Sequence, residues 1–255
     1  DKVSPEEYDT YDHVFIASET YAEELKTKVK TSVSALIQCT DEHLFYPDQD
    51  LVNHEVLFVG NSRKQYRQIV KDSIEAGLPL SVYGTRWEGI IPDHYVLGQN
   101  IPNAELRKYY GGAKIVLNDH WPTMSSNGFI SNRIFDVAAC GTCLISDEII
   151  GAEKFFGDAL CTYKDKNELK TLVENFLKDD KARKEQGEKL RSLVYQKHTF
   201  RNRVQSMLEM IEKIDKDKAF ARRDRYLALE APRNDKEIHK LCLLYTSDAA
   251  DDDRS

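Results

Sequence analysis

Two short stretches of the chain carry residues whose types and spacing suit a phosphate-bearing ligand. The first is Gly60-Asn61-Ser62-Arg63, which follows the apolar run Val56-Leu57-Phe58-Val59. A glycine there lets the backbone approach a ligand at a helix N-terminus, and the Arg63 guanidinium matches phosphate oxygens. The same four residues also fit a tight turn with a solvated arginine. The second stretch follows Gly128. Asn132 and Arg133 lie four and three residues before Asp136 and share one helical face with it, while Ile130, Ile134 and Val137 point to a core. A carboxylate so placed accepts hydrogen bonds from vicinal hydroxyls, and Arg133 faces phosphate oxygens. The competing reading is an Arg133–Asp136 surface ion pair, worth roughly a few tenths of a kcal/mol.

These residues need a scaffold, and the pattern between them supplies one. Strands are predicted at Val56–Val59, Leu78–Tyr83, Tyr95–Leu97, Ile115–Leu117 and Cys143–Ile145. Helical spacing is predicted for Tyr66, Ile69, Val70 and Ile74 up to Gly77, for Leu106, Tyr109 and Tyr110 behind an Asn103 cap, and for Ile130, Ile134 and Val137 up to Gly141. The alternation predicts an α/β fold with a mostly parallel, Rossmann-like sheet and helices on both faces. Ligands of such sheets bind beyond the carboxyl ends of the strands, so the turns after Val59, Tyr83, Leu117 and Ile145 are the places to search. His120 falls in one of them and is a candidate donor to a phosphate or an acceptor hydroxyl, although a lone histidine more often serves structure. Trp87 and Trp121 fit a sugar pocket or ordinary packing equally well.

Further on, three amphipathic helices are predicted, marked by Leu169, Leu172, Val173 and Phe176, by Leu190, Leu193 and Val194, and by Phe200, Val204, Met207, Leu208 and Ile211. His198 is expected to pack near the last of them. Upstream, Val14–Ala17 reads as a buried strand followed by a Ser18-capped helix, and Val33–Ile37 is another apolar piece. Residues 1–38 are therefore read as the remnant of a truncated N-terminal domain, 39–54 as a linker and 55–214 as the main domain. Residues 215–241 read as a charged helical or linker extension. Residues 242–255 resemble the conceptual translation of a sequencing adaptor and are set aside.

Composition narrows the function. The formal charge is −7, three units of it from the last fourteen residues, and a mildly acidic body argues against nucleic acid as a partner. No apolar run reaches the roughly 18–20 residues needed to cross a bilayer, and no signal-peptide pattern opens the chain, so a cytoplasmic setting is expected. Five irregularly spaced cysteines fit reduced thiols. Cys140 and Cys143 form a C-x-x-C, but the first ends a helix, whereas a redox thiolate is stabilised at a helix start, and no second pair supports zinc. No D-x-D motif follows a strand and Asp179-Asp180 joins two helices, so no metal is expected.

The segment from Asn127 to Asp147, NGFISNRIFDVAACGTCLISD, resembles the donor-site signature of group 1 glycosyltransferases, closest to the CgeB-like spore-maturation branch. Leu57-Phe58-Val59-Gly60, Val82-Tyr83-Gly84-Thr85-Arg86-Trp87, Leu97-Gly98-Gln99, Ala104-Glu105-Leu106, Lys114–Asn118 and His198–Arg203 agree in order and spacing, so that the resemblance runs from about Tyr11 to Ile214. It implies the C-terminal domain of a GT-B fold and a nucleoside-diphosphate sugar as substrate, with no cofactor. The sugar would pass to an acceptor glycan, protein or small molecule, and any peripheral membrane contact falls to the missing domain. Carried over by position, Asp136 matches the acid that holds the ribose, Gly60 and Arg63 the phosphate side, and Asn100-Ile101 the backbone contacts to the base. Asn127, Gly128, Asn132 and Arg133 complete the implied donor site, and Arg86, Asn118 and His120 are placed in its cleft. Many relatives carry a glutamate eight residues before the ribose acid, where this chain has Gly128. A non-catalytic nucleotide-sugar-binding module and a nucleotide-sugar epimerase are the alternative functions.

Overall fold

The computed structural model describes residues 3–217 and Ala221. The expected adaptor-like tail and most of the charged extension lie outside them.

The chain opens with a short helix α1 (Pro5–Tyr8) and a βαβ unit, β1 (His13–Ile16), α2 (Glu19–Lys26) and β2 (Ser32–Ala35). The Ser18 hydroxyl caps α2 by accepting from the Tyr21 N–H at 3.1 Å, as its residue type predicts. Two parallel strands form here where the sequence pattern showed one: the Val33–Ile37 piece contains β2, paired with β1 from His13 opposite Ser32 to Ile16 opposite Ala35.

The main body holds six parallel strands: β3 (His54–Val59), β4 (Leu80–Tyr83), β5 (Val96–Gly98), β6 (Ala113–Asn118), β7 (Cys143–Asp147) and β8 (Cys161–Tyr163). Their spatial order is β5-β4-β3-β6-β7-β8. The interposed helices are α3 (Gln68–Glu75), α4 (Leu106–Gly112), α5 (Pro122–Ser126), α6 (Asn132–Ala139), α7 (Glu153–Phe156), α8 (Lys166–Lys178), α9 (Asp180–Lys197) and α10 (Phe200–Ile211). Side chains alternate across the sheet. Leu57, Val116 and Leu144 pack with residues of α4, α6 and α9, whereas Val56, Phe58, Ile115, Leu117 and Ile145 pack with residues of α3 and α8. Burial on both faces explains why these strands read as unbroken apolar runs.

Four sequence expectations are amended. Tyr66 precedes α3 and is exposed, Asn103 opens a 3-10 turn before α4 without capping it, and α5 and β8 are too short for periodicity to reveal. The apolar face of α10 is uncovered: Phe200, Val204, Met207, Leu208 and Ile211 are all exposed.

From β3 the chain runs outward through β4 to β5 and then returns to the other side of β3 as β6. The connections leave in opposite directions at the carboxyl ends of β3 and β6, which opens a crevice there. Gly60 and Asp119 stand at its two sides.

Candidate functional site

The loop after β3 is fixed by its neighbour after β4. The Trp87 indole N–H donates to the Gly60 carbonyl at 2.9 Å, the Thr85 N–H donates to Asn61 Oδ1 at 2.8 Å, and the buried Ser62 hydroxyl donates to the Arg86 carbonyl. Gly84, at φ +154°, lies against this loop so closely that a Cβ on it would stand 2.1 Å from the Gly60 oxygen. Beyond Ser62 the backbone turns through Arg63 and Lys64, both at φ +58°, a conformation rare for residues with side chains and common where a loop is held for a ligand. The Ser62 Oγ steadies it by accepting from the Lys64 N–H at 3.1 Å. The Arg63 guanidinium lies 4.2 Å over the Trp121 ring, and Arg86 is itself at φ +63°.

Two arginines converge on Gly60. A Cβ there would be 3.1 Å from Arg67 Nη1 and 3.2 Å from Arg133 Nη2. Both guanidiniums lie over the Phe58 ring, at 5.0 and 5.5 Å from its centre. Arg67 is neutralised: it is buried, donates through Nε to Asp119 Oδ2 at 2.9 Å and through Nη2 to Oδ1, and caps the Asn61 carbonyl at 3.1 Å. Arg133 is not. Its Nη1 donates to Asn118 Oδ1 at 3.0 Å, and among the described residues no carboxylate lies within 4 Å of it. The Arg133–Asp136 ion pair weighed from spacing does not form.

Arg133 is positioned by a chain of hydrogen bonds across the strand ends. Asn118, wholly buried, donates to Ser146 Oγ at 3.0 Å, and Ser146 donates to Asp147 Oδ1 at 3.0 Å. Asp147 Oδ1 lies 2.6 Å from His120 Nδ1, and His120 Nε2 lies 2.8 Å from the Ser131 N–H at the start of α6. A backbone N–H only donates, so Nε2 accepts and Nδ1 carries the proton shared with Asp147. His120 thus ties β6 and β7 to α6. With both ring nitrogens engaged, it has no proton to offer a phosphate, and it serves structure here.

Asp136 faces elsewhere. It is buried, accepting from Thr40 Oγ1 at 2.8 Å on one oxygen and from Asn132 Nδ2 at 3.1 Å on the other. Burial lifts its pKa from the ordinary 3.8 to about 7, against the lowering effect of Thr40, Asn132 and Arg133. Thr40 is joined in turn to the last helix, bonding His198 and Phe200 through its backbone. His198 packs on the rings of Phe135, Phe155 and Phe156, and burial lowers its pKa to about 4. A carboxyl raised by folding is stabilising below its unfolded pKa, and that contribution is lost as pH rises towards 7; a histidine lowered by folding stabilises above 6.5, and that is lost as pH falls towards 4. Asp136→Asn removes only the first effect. The stability of the variant relative to the parent is therefore expected to rise between pH 4 and 7 by on the order of a few kcal/mol, measured by urea unfolding at several pH values. A difference independent of pH would refute a carboxyl whose pKa burial raises.

Asn127 and Gly128 sit against the N-terminal unit. The Ser18 hydroxyl donates to the Asn127 carbonyl at 2.5 Å, and a Cβ on Gly128, at φ +71°, would stand 2.9 Å from the Ile150 oxygen and 3.1 Å from Thr20 Oγ1. An acidic side chain has no room there, which accounts for the glycine. Asn100 is exposed and Ile101 buried in the loop after β5. Trp87 is core and Trp121 lines a cavity. Cys140 and Cys143 are buried free thiols whose pKa values burial pushes up, the opposite of a redox thiolate. Gly60, Arg63, Arg86, Asn118 and Arg133 are thus brought together at the crevice, while Asp136, Asn127 and Gly128 face residues 18–40. Sequence reasoning missed Arg67 and Asp119, which are 52 residues apart and whose pairing leaves no signal in the local pattern.

Among the described residues no helix is long and apolar enough to cross a membrane. The six-stranded arrangement is that of GT-B glycosyltransferases. Over 82% of this chain and 60% of the other, it superimposes on sucrose-phosphate synthase from Thermosynechococcus elongatus with a TM-score of 0.63 and 18% identity. It also superimposes on HepE of Anabaena, solved in complex with UDP and glucose, with a TM-score of 0.62 and 12% identity over 81% and 65% of the two chains. In sequence, 108 residues are 28% identical to the spore protein CgeB of Bacillus subtilis (strain 168), covering 36% of this chain and 34% of that protein. The chain therefore spans about a third of its curated relative and less than two thirds of these solved structures. The glycosyl transferase-like family model matches residues 38–209, and with the crevice, the two converging arginines and the GT-B sheet in place, the chain belongs to that family.

Proposed function

We propose that the chain is the donor-binding part of a glycosyltransferase that moves a sugar from a nucleoside diphosphate to an acceptor hydroxyl, with no cofactor or resident metal. The observation that carries this reading is the convergence of Arg67 and Arg133 on Gly60, with Arg133 lacking a carboxylate counter-charge. A guanidinium without a carboxylate partner beside a half-buried loop, at a switch point of a parallel sheet, suits a diphosphate and stabilises charge as it develops on the leaving group. The UDP and glucose named for the HepE structure support the same ligand class. In this reading residues 55–214 form the donor domain, 39–54 a linker, and 1–38 part of the domain that holds the acceptor. Asn100-Ile101 meet the base, whereas Asp136, buried and turned towards Thr40, takes no part in holding the ribose in this reading.

Titration calorimetry with UDP-, GDP- and ADP-sugars tests the proposal. One nucleotide series is expected to bind, and Arg133→Ala to weaken it by about 2 kcal/mol, roughly thirtyfold. Absence of binding to every series at millimolar concentration would sink it.

A further inference from the structure

Beside the Gly60 cradle lies a cavity of about 680 Å³, within the range of small-molecule sites. It is walled by the first turns of α3, by α5 and by the ends of β7 and β8, through Arg67, Asp72, Trp121, Ser125, Asp147 and Tyr163. Arg67 belongs to both places: its Nη1 approaches Gly60, and its side chain walls the cavity.

The cavity contains a carboxylate with spare capacity. Asp72 is only 6% exposed, yet among the described residues its side chain accepts one hydrogen bond, from Gln68 Nε2 at 2.7 Å to Oδ1, and makes no ion pair. A carboxylate offers about four acceptor positions, and a buried one normally has most of them filled. Tyr163 is equally buried, and burial followed by the nearby Asp72, Asp147 and Asp119 charges raises its pKa, so it stays a hydroxyl able to donate and accept. Three cations of the wall are paired, Arg67 with Asp119, Lys166 with Glu75 at 2.8 Å and Lys164 with Glu148 at 3.8 Å, and a fourth, Arg63, lies over the Trp121 ring. Asp72, Asp119, Asp147, Glu148 and Asp165 all line the cavity, so a ligand rich in hydroxyls and without charge fits its carboxylate side better than an anionic one. On the other side of the crevice, Gly128 is closed off by Ile150 and Thr20.

We infer that this cavity receives the uncharged hexosyl group of the donor, with Asp72 and Tyr163 binding its hydroxyls. The inference rests on the proposed diphosphate site at Gly60, from which Arg67 leads into the cavity.

The test is calorimetry on the full 255-residue chain with UDP, GDP and ADP, and with UDP-glucose, GDP-mannose and ADP-glucose. The hexosyl conjugate is expected to bind about tenfold more tightly than its bare diphosphate. Asp72→Asn, which keeps shape and the Gln68 bond, should abolish that gain and leave the bare diphosphate within about twofold; Tyr163→Phe should lower the gain about threefold. Equal affinity for diphosphate and conjugate, as when the cavity serves an acceptor saccharide instead, overturns the inference and leaves the diphosphate reading intact. So does a gain that survives in both variants. If no bare diphosphate binds, the diphosphate reading fails and the inference falls with it.

Discussion

Replacing Asp119 by alanine is expected to lower the unfolding free energy by about 3–5 kcal/mol, the usual cost of leaving one member of a buried ion pair without its partner. The side chains of Arg67 and Asp119 are 7% and 9% exposed and meet through two hydrogen bonds, so little water can replace the lost carboxylate. Urea unfolding followed by circular dichroism measures the effect as a shift in midpoint at constant slope. Because the same carboxylate aims Arg67 at Gly60, nucleotide affinity should fall as well. The double variant Arg67→Met, Asp119→Leu separates the two roles: it should regain much of the stability, since an apolar pair replaces the charges, and regain none of the binding. A single variant that unfolds within about 1 kcal/mol of the parent would show that the pair is not sealed from solvent.

The second large effect is expected at Gly84. Alanine there places its methyl carbon 2.1 Å from the Gly60 oxygen and 2.5 Å from the Gly60 carbonyl carbon, at a φ of +154° that side chains rarely adopt. Either the β3 and β4 loops part or the backbone at Gly84 changes, and both break the bond from Trp87 to Gly60. A loss of about 3 kcal/mol or more follows, together with loss of the loop geometry proposed to hold a diphosphate. Gly89 provides the comparison, because it has a positive φ of +71° but nothing within 4 Å of a Cβ. Alanine at that position should cost only about 1 kcal/mol. Similar thermal shifts for the two variants would mean that backbone conformation, and not the contact with Gly60, requires glycine at position 84.

Much of the fold was legible because burial on both faces turns each central strand into an apolar run, and because Gly77 and Gly141 end their helices visibly. β5 and β8 have three residues each, too few for a period to show, and β5 was found only as a fragment. The site was half legible. Gly60 and Arg133, the residues proposed to meet a phosphate, can be picked out by type and place, a glycine after a strand and an arginine one residue into a helix, and the fold does bring them together. What spacing could not show is which charges neutralise one another. Arg67 and Asp119 are 52 residues apart, and Thr40 reaches Asp136 across 96, so neither pairing has a local signature. The same blindness made an Arg133–Asp136 pair look reasonable: on an isolated helix it would be, but Asn118 and Thr40 are better partners and come from elsewhere in the chain.

The chain has two tryptophans, and the fold places them in contrasting surroundings. Trp87 is sealed in the core with its indole N–H on the Gly60 carbonyl, whereas Trp121 is half-buried at the cavity beneath Arg63. Optically, the protein therefore carries an internal reference and a probe. A collisional quencher in solvent reaches the indole at the rim and not the one inside, and the red edge of the emission belongs to the rim. Single-tryptophan versions made with phenylalanine resolve the two signals, one following the integrity of the strand-end loop and the other the arrival of a ligand beside Arg63.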